Sequence, residues 1–190
     1  YPFAKLDYKA GGFPVRASLE AFGPFIPLDA KNSGLPAAFL TFTLTNSSRT
    51  TQVISLFGAL KNVVGYEHGD KESVITYHRK GRASWCAFGR RDMPEGSQSA
   101  GTMALGAWAS TKARPSYVLH AVHPRDIYDP LMEKGHLEDL DRSQFRGSVG
   151  NDLGTGPRVR KADTGFSRGV LCETLSLRPG QTAQVTFVLA

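Results

Sequence analysis

Along most of this chain apolar and polar positions alternate in short runs, broken by clusters of Gly, Pro, Asn and Ser. A period of two sends successive side chains to opposite faces of an extended backbone, so the pattern predicts strands. The segments that fit are 2–8, 13–21, 37–45, 51–60, 73–79, 83–88, 102–109, 117–123, 169–177 and 182–189. Within 37–45, Phe39, Thr41 and Thr43 alternate with Leu40, Phe42 and Leu44, one face β-branched and the other apolar, as suits a sheet packed on one side. "NSSRT" (46–50) reads as a polar hairpin loop, and "LRPGQT" (177–182) as a turn with Pro179-Gly180 at its corner. Only "PLMEKGHLEDLD" (130–141) hints at helix, and Gly135 interrupts it. Strands without amphipathic helices between them exclude a parallel α/β fold and predict an all-β protein, an antiparallel two-sheet β-sandwich with little helix. No repeat or inter-domain linker is visible, so residues 1–190 read as a single domain, with glycine-rich 147–157 as a loop.

One stretch departs from this regularity. "EAFGPFIPLDAKN" (20–32) packs Phe22, Phe25 and Ile26 around Pro24 and Pro27, immediately before a regular strand. Two prolines so close together end a strand or confine it to a sheet edge, because each removes a ladder donor. An apolar, proline-stiffened segment at a sandwich edge has two readings. It docks a second domain, or it plugs the end of the sandwich's own core.

Overall composition is that of an ordinary globular protein, with 41% hydrophobic and 21% charged residues. The net charge of +6 invites a nucleic-acid reading. Its basic groups (Arg79, Lys80 and Arg82; Arg90 and Arg91; Arg158, Arg160 and Lys161) are dispersed and lack the interleaved aromatics of a base-stacking platform. No nucleic-acid partner is expected. No apolar run is long enough to span a bilayer. The chain opens at Tyr1, inside a predicted strand, and reads as part of a longer polypeptide. Cys86 and Cys172 belong to no CxxC pair and sit in apolar runs, "SWCAF" and "GVLCETL", which suits buried free thiols and leans towards a reducing cytoplasm.

Candidate chemistry is sparse. Glu133, Glu138, Asp139 and Asp141 are clustered, but their segment is polar, and a general acid needs an apolar setting to raise its pKa. His120 and His123 are three apart, so on a strand they face opposite sides and chelate one ion only if Pro124 bends the chain. No metal site and no cofactor are expected. Residues 147–157 lack the GK[ST] ending of a phosphate loop, and no serine stands in a nucleophile elbow. Asn46-Ser47-Ser48 is a formal glycosylation sequon and predicts an exposed loop. Trp85 and Trp108, with Tyr66, Tyr77 and Tyr117, are possible sugar-stacking platforms, although both tryptophans lie in apolar strand runs where core packing is the commoner fate.

Three blocks carry a resemblance. "LEAFGPFIPLDAKNSGLPAAFLTFTLTNSS", "VISLFGALKNVVG" (53–65) and "GVLCETLSLRPGQTAQVTFVLA" (169–190) are similar, in this order and spacing, to the N-terminal domain of glycoside hydrolase family 116, which includes non-lysosomal glucosylceramidases and bile-acid β-glucosidases. The similarity is good over 13–65 and 165–190 and loose between. It implies a non-catalytic β-sandwich joined to a C-terminal (α/α)6 barrel that holds the nucleophile and acid/base carboxylates of a retaining β-glucosidase. No residue here matches the catalytic motif, so no catalytic residue is assigned. Phe22, Phe25, Ile26, Trp85, Trp108 and Tyr66 remain as candidates for contact with that barrel or with a β-glucoside or glucosylceramide-like substrate. A free-standing carbohydrate-binding or interaction domain is the alternative.

Overall fold

The computed structural model describes residues 3–69, 72–121, 123–141 and 167–190. The glycine-rich stretch 147–157 lies outside them. In chain order the strands are β1 (Phe3–Tyr8), β2 (Val15–Phe22), β3 (Ala38–Asn46), β4 (Gln52–Lys61), β5 (Ser73–Lys80), β6 (Ala83–Arg90), β7 (Met103–Ala109), β8 (Ala113–Ala121), β9 (Leu140–Asp141), β10 (Arg168–Leu177) and β11 (Thr182–Leu189). They form a seven-stranded sheet in the order β1-β2-β3-β11-β7-β6-β5 and a four-stranded sheet in the order β4-β10-β8-β9. Pairing is antiparallel throughout except for β9, which lies parallel to β8 through Val118–Leu140 and Leu119–Asp141. The fold is an all-β sandwich, and its core strands follow from the alternation.

The core is made by one face of each sheet. Leu44, Leu105, Val185 and Phe187 from the large sheet meet Leu171, Leu175 and Leu177 from the small one. Burying a leucine of this kind contributes about 2 kcal/mol. A smaller cluster lies on the other face of the small sheet, where Val118, Val170 and Cys172 pack with Ala121, Ile127 and Leu137. Helix α2 (Arg125–Lys134) supplies the cover there: Ile127 is buried and Tyr128 meets Phe57 edge-on, ring centroids 5.9 Å apart. The outer face of the large sheet has no comparable cover among the described residues.

Three local expectations change. Helix was expected over 130–141, but α2 begins at Arg125 and stops at Lys134, with Gly135 at φ 73° and its N–H bonded to Leu131 O. The Asp126 carboxylate accepts from His123 N at 3.0 Å, a start signal that lies upstream of the apolar pattern. Pro130 is the sixth of the ten residues of α2, an interior position where proline lacks the N–H that would donate to Asp126 O, and a short helix α1 (Ala30–Ser33) also forms after Pro27. The strand expected at 117–123 runs from Ala113 instead. Pro115 fits because β9 pairs with β8 only at Val118 and Leu119, leaving a sheet edge beside the proline. Finally, the proline pair ends β2 as expected, but β2 is not an edge: β1 pairs along its whole length.

Connections sort by length between the two ends. At one end the turns are short: 9–14, 47–51, 81–82, 110–112 and 178–181. At the other lie the long connections 23–37, 62–72 and 91–102, together with the start of β10.

Close packing makes β4 depend on a glycine. A Cβ placed on Gly58 would lie 2.8 Å from the Phe187 ring, inside the core. Gly58→Ala is expected to destabilise the domain by about 1–3 kcal/mol, since the ring has to leave its packed position. Urea denaturation should show a lower midpoint with an unchanged slope; an unchanged midpoint would show that Phe187 relocates freely.

Candidate functional site

The carboxylates are the first place to look for chemistry. Glu138 is held by Lys134 Nζ at 2.5 Å, and this hydrogen bond pulls its carboxyl below the usual range, opposite to what a general acid requires. Asp139 accepts from Tyr117 N at 3.2 Å, serving the backbone. One carboxyl does have a raised pKa, and sequence reading missed it. Glu173 on β10 is 2% exposed, and burial pushes its carboxyl up to about 7 against the opposing effects of Arg79 and Ser84. It points between the sheets with Leu171 and Leu175, out of reach of substrate. The signal was there: in "CETLSL" the glutamate takes the inward position of the alternation, flanked two residues away by buried leucine on the far side.

Candidate contact residues divide between a face and an end. Across the large sheet, direct strand partners run Phe3, Phe22, Phe39, Val188, Gly106, Trp85 and His78, one from every strand. All point outward. Phe22 stacks on Phe39 at 4.9 Å and 9° and lies 5.6 Å from Phe3, while Trp85 stacks on His78 at 5.3 Å and 17°. Trp108 lies in the next row beside Thr186 and is 38% exposed. Both tryptophans were expected in the core, yet both leave it, because Cys86 and Phe88 take the inward positions of β6 and Ala107 and Ala109 those of β7. A hydroxyl row accompanies the aromatic one: Thr41 and Thr186 hydrogen-bond at 3.0 Å, and Gln184 donates to Thr43 at 3.3 Å.

Phe25 and Ile26 lie at the long-loop end, each about half exposed (52% and 51%), so neither plugs the core. Ser33 fixes their loop, its hydroxyl donating to Ile26 O and accepting from Ile26 N, both at 2.8 Å. Tyr66, 57% exposed, stands at the same end beside a shallow recess of about 240 Å³ lined by Val63, Val64, Ser99, Thr102 and Met103. Glu67 anchors that recess. It accepts from the Ser97 and Ser99 hydroxyls, which hold its carboxyl down to about 2, and so ties the 62–69 turn to the 97–99 turn.

Beneath the loops runs a buried polar network. Asn62 donates to Ser73 Oγ at 2.7 Å and to Gly89 O at 2.9 Å, Ser73 meets Ser167 at 3.2 Å, and His120 Nδ1 lies 3.4 Å from Ser167 Oγ. His120, at φ 59° and 4% exposed, is thereby fixed in a left-handed conformation that non-glycine residues rarely adopt. No group of three or more His, Cys, Asp or Glu that could hold a metal ion occurs among the described residues. None of their helices is long and apolar enough to cross a membrane.

Asn46 is another sequence-level surprise. The sequon predicted an exposed loop, and Ser47, Arg49 and Thr50 are exposed, but Asn46 itself is fully buried. Its Nδ2 donates to Thr50 O and Leu177 O at 2.8 Å each, joining the turns that carry the chain between the two sheets. The folded domain therefore offers no acceptor at this sequon. Asn46→Ala should cost on the order of 2 kcal/mol by leaving those carbonyls unpaired, read as a lowered denaturation midpoint.

Cys86 and Cys172 are free and buried, and burial pushes the Cys86 thiol up to about 12. At pH 8 its thiolate is therefore scarce, and both cysteines should resist Ellman's reagent in the folded protein yet react fully in denaturant. Rapid labelling of the native protein would contradict the packing described.

These features meet an independent comparison. No curated protein matches the chain. Among solved structures, a chain described as a kojibiose phosphorylase from human microbiome aligns with a TM-score of 0.45 and 9% identity, covering 99% of this chain and 17% of that one. A family model described as beta-glucosidase 2, glycosyl-hydrolase family 116 N-term, matches residues 1–190 throughout. The chain belongs to the family of N-terminal domains of glycosyl-hydrolase family 116.

Proposed function

We propose that this domain is a non-catalytic part of a retaining β-glucosidase or glucosylceramidase-like hydrolase, whose chemistry resides in a downstream (α/α)6 barrel that the sandwich orients. The family match over the whole chain carries this reading. The acid residues support it. Retaining hydrolysis needs a nucleophilic and a proton-donating carboxyl about 5 Å apart across a bound sugar. Among the described residues the one carboxyl with a strongly raised pKa, Glu173, is shut inside the core, and the pKa of Glu138 is lowered.

Docking falls to the uncovered face of the large sheet. Seven strands about 4.8 Å apart make a face roughly 29 Å wide. With strands of about seven residues it covers on the order of 700 Å², close to what one partner contributes to a standard interface. The aromatic row from Phe3 to Trp85 supplies the apolar centre such an interface needs. The loops at the long-connection end, with Phe25, Ile26 and the Tyr66 recess, then face the entrance to the sugar site. Trp108 beside its hydroxyl row favours a second reading, a carbohydrate-binding face.

The 190-residue chain alone is expected not to turn over a chromogenic β-glucoside, whereas the polypeptide extended through the barrel should. Glu138→Ala with Asp141→Ala should leave the extended enzyme active. If the short chain is active, or that pair abolishes turnover in a folded enzyme, the chemistry has been misplaced. For docking, Phe22→Ser and Trp108→Ser should weaken assembly of separately expressed halves at least ~10-fold, while leaving the thermal midpoint of the sandwich nearly unchanged. Saturable quenching of tryptophan fluorescence by gluco-oligosaccharides, lost in Trp108→Ser, would instead support the second reading.

A further inference from the structure

Glu173 serves none of the roles above, and its surroundings are specific. It faces across the sandwich from β10 towards β5 and β6, where Arg79 and Ser84 are direct strand partners. Glu173 Oε1 and Ser84 Oγ are both buried and neither makes a hydrogen bond of regular geometry, although Ser84 is near enough to favour the ionised carboxylate. Over them, at the open side of the sandwich, Tyr77 of β5 stacks on Tyr117 of β8 with ring centroids 4.0 Å apart. These rings join the edge strand of one sheet to the other sheet. The other titratable groups facing this region are Arg79 from β5, Cys86 from β6, Asp139, whose charge acts on both tyrosines, and Asp141 of β9, whose charge acts on Tyr117. From β4 and β7 the inward residues are apolar, among them Ile54, Leu56, Leu105 and Ala107.

We propose that Glu173, Ser84 and Arg79, closed over by Tyr77 and Tyr117, form a proton-operated clasp that holds the β5–β8 side of the sandwich shut while Glu173 is neutral and loosens it when the proton leaves. A neutral carboxyl tolerates this dry site, because its desolvation is modest and its O–H can rotate towards Ser84. Ionisation releases the proton to solvent and leaves a buried carboxylate with an unpartnered oxygen, a costly state. Relief comes from Arg79, which is exposed on the rim and would swing inward, or from water. Either route requires Tyr77 to separate from Tyr117. Because β5 is the end strand of its sheet, it can move without disrupting a second ladder.

The direction of the pH effect follows from burial. Glu173 ordinarily ionises near 4.5 and in the folded domain near 7. The folded state thus binds this proton more tightly than the unfolded one, so the clasp's contribution is full below about 4.5, declines as pH rises towards 7 and is absent above it.

Hydrogen exchange read by mass spectrometry tests this in the full polypeptide, corrected for intrinsic chemical exchange. Peptides covering 73–80 and 113–121 should lose protection between pH 5.5 and 8, by roughly 10- to 100-fold, while peptides of β2 and β3 change little. Glu173→Gln, which cannot ionise, should flatten the dependence. Arg79→Met removes the charge that favours ionisation and should carry the loss to higher pH. The proposal is overturned if Glu173→Gln keeps the wild-type profile, if Arg79→Met moves the loss to lower pH, or if protection falls equally in β2 and β3.

Discussion

The two-sided burial of β10 is the constraint on which the rest of this domain depends. Its odd-numbered residues Leu171, Leu175 and Leu177 enter the inter-sheet core, and its even-numbered Val170 and Cys172 enter the cluster beneath α2. Its backbone is paired on both sides, with β4 and with β8. A strand so enclosed must be apolar on both faces, as "GVLCETLSL" largely is. Where α2 covers it, the small sheet is thereby committed on both faces, and the broader uncovered surface belongs to the large sheet.

That asymmetry gives the domain its usable surfaces. The large sheet packs Leu44, Val185 and Phe187 inward and presents an aromatic row and a hydroxyl row outward. Antiparallel sheets ordinarily set polar residues on such a face. Three phenylalanines in consecutive cross-strand positions, with Trp85 further along the same row, are the feature on which the proposed docking face rests. The division of connections works in the same direction. Short turns close one end, and long loops collect at the other, where Asn62, Ser73, Ser167 and His120 hold their roots rigid.

Glu173 shows the interior in a second role. A core built only for stability would place an apolar residue opposite Ser84, and a buried unpartnered carboxyl costs free energy that such a replacement would recover. Its position beside the tyrosine pair that bridges the sheets makes the cost conditional on protonation. In this respect the β5 side of the sandwich differs from the β1 side, which is closed by apolar contacts such as Tyr8 with Phe42.

The sequence alone determined most of the strands, their alternation and the class of fold, because each depends on a period of two that survives in "AFLTFTLTN" or "TAQVTFVL" without knowledge of neighbours; the start of β8 at Ala113 and the two-residue β9 within 130–141 it did not. It also determined where β2 ends, since Pro24 and Pro27 act locally, and three blocks in matching order sufficed to indicate the family. What it left open was which of two faces turns inward. "SWCAF" and "LGAWAS" are apolar on both faces, and only the pairing of Trp85 with Gly106 and of Trp108 with Thr186 decided that the tryptophans look outward. The burial of Asn46 and of Glu173 had the same origin. Each is a polar residue whose fate depends on a strand far away in sequence, Leu177 for the one and Ser84 for the other. Helix α2 was misplaced because its start rests on Asp126 capping His123 and its apolar face exists only against Val118 and Val170. Local periodicity and proline act within a few residues and can be read directly; facing, capping and ionisation depend on contacts that form only when the two sheets close.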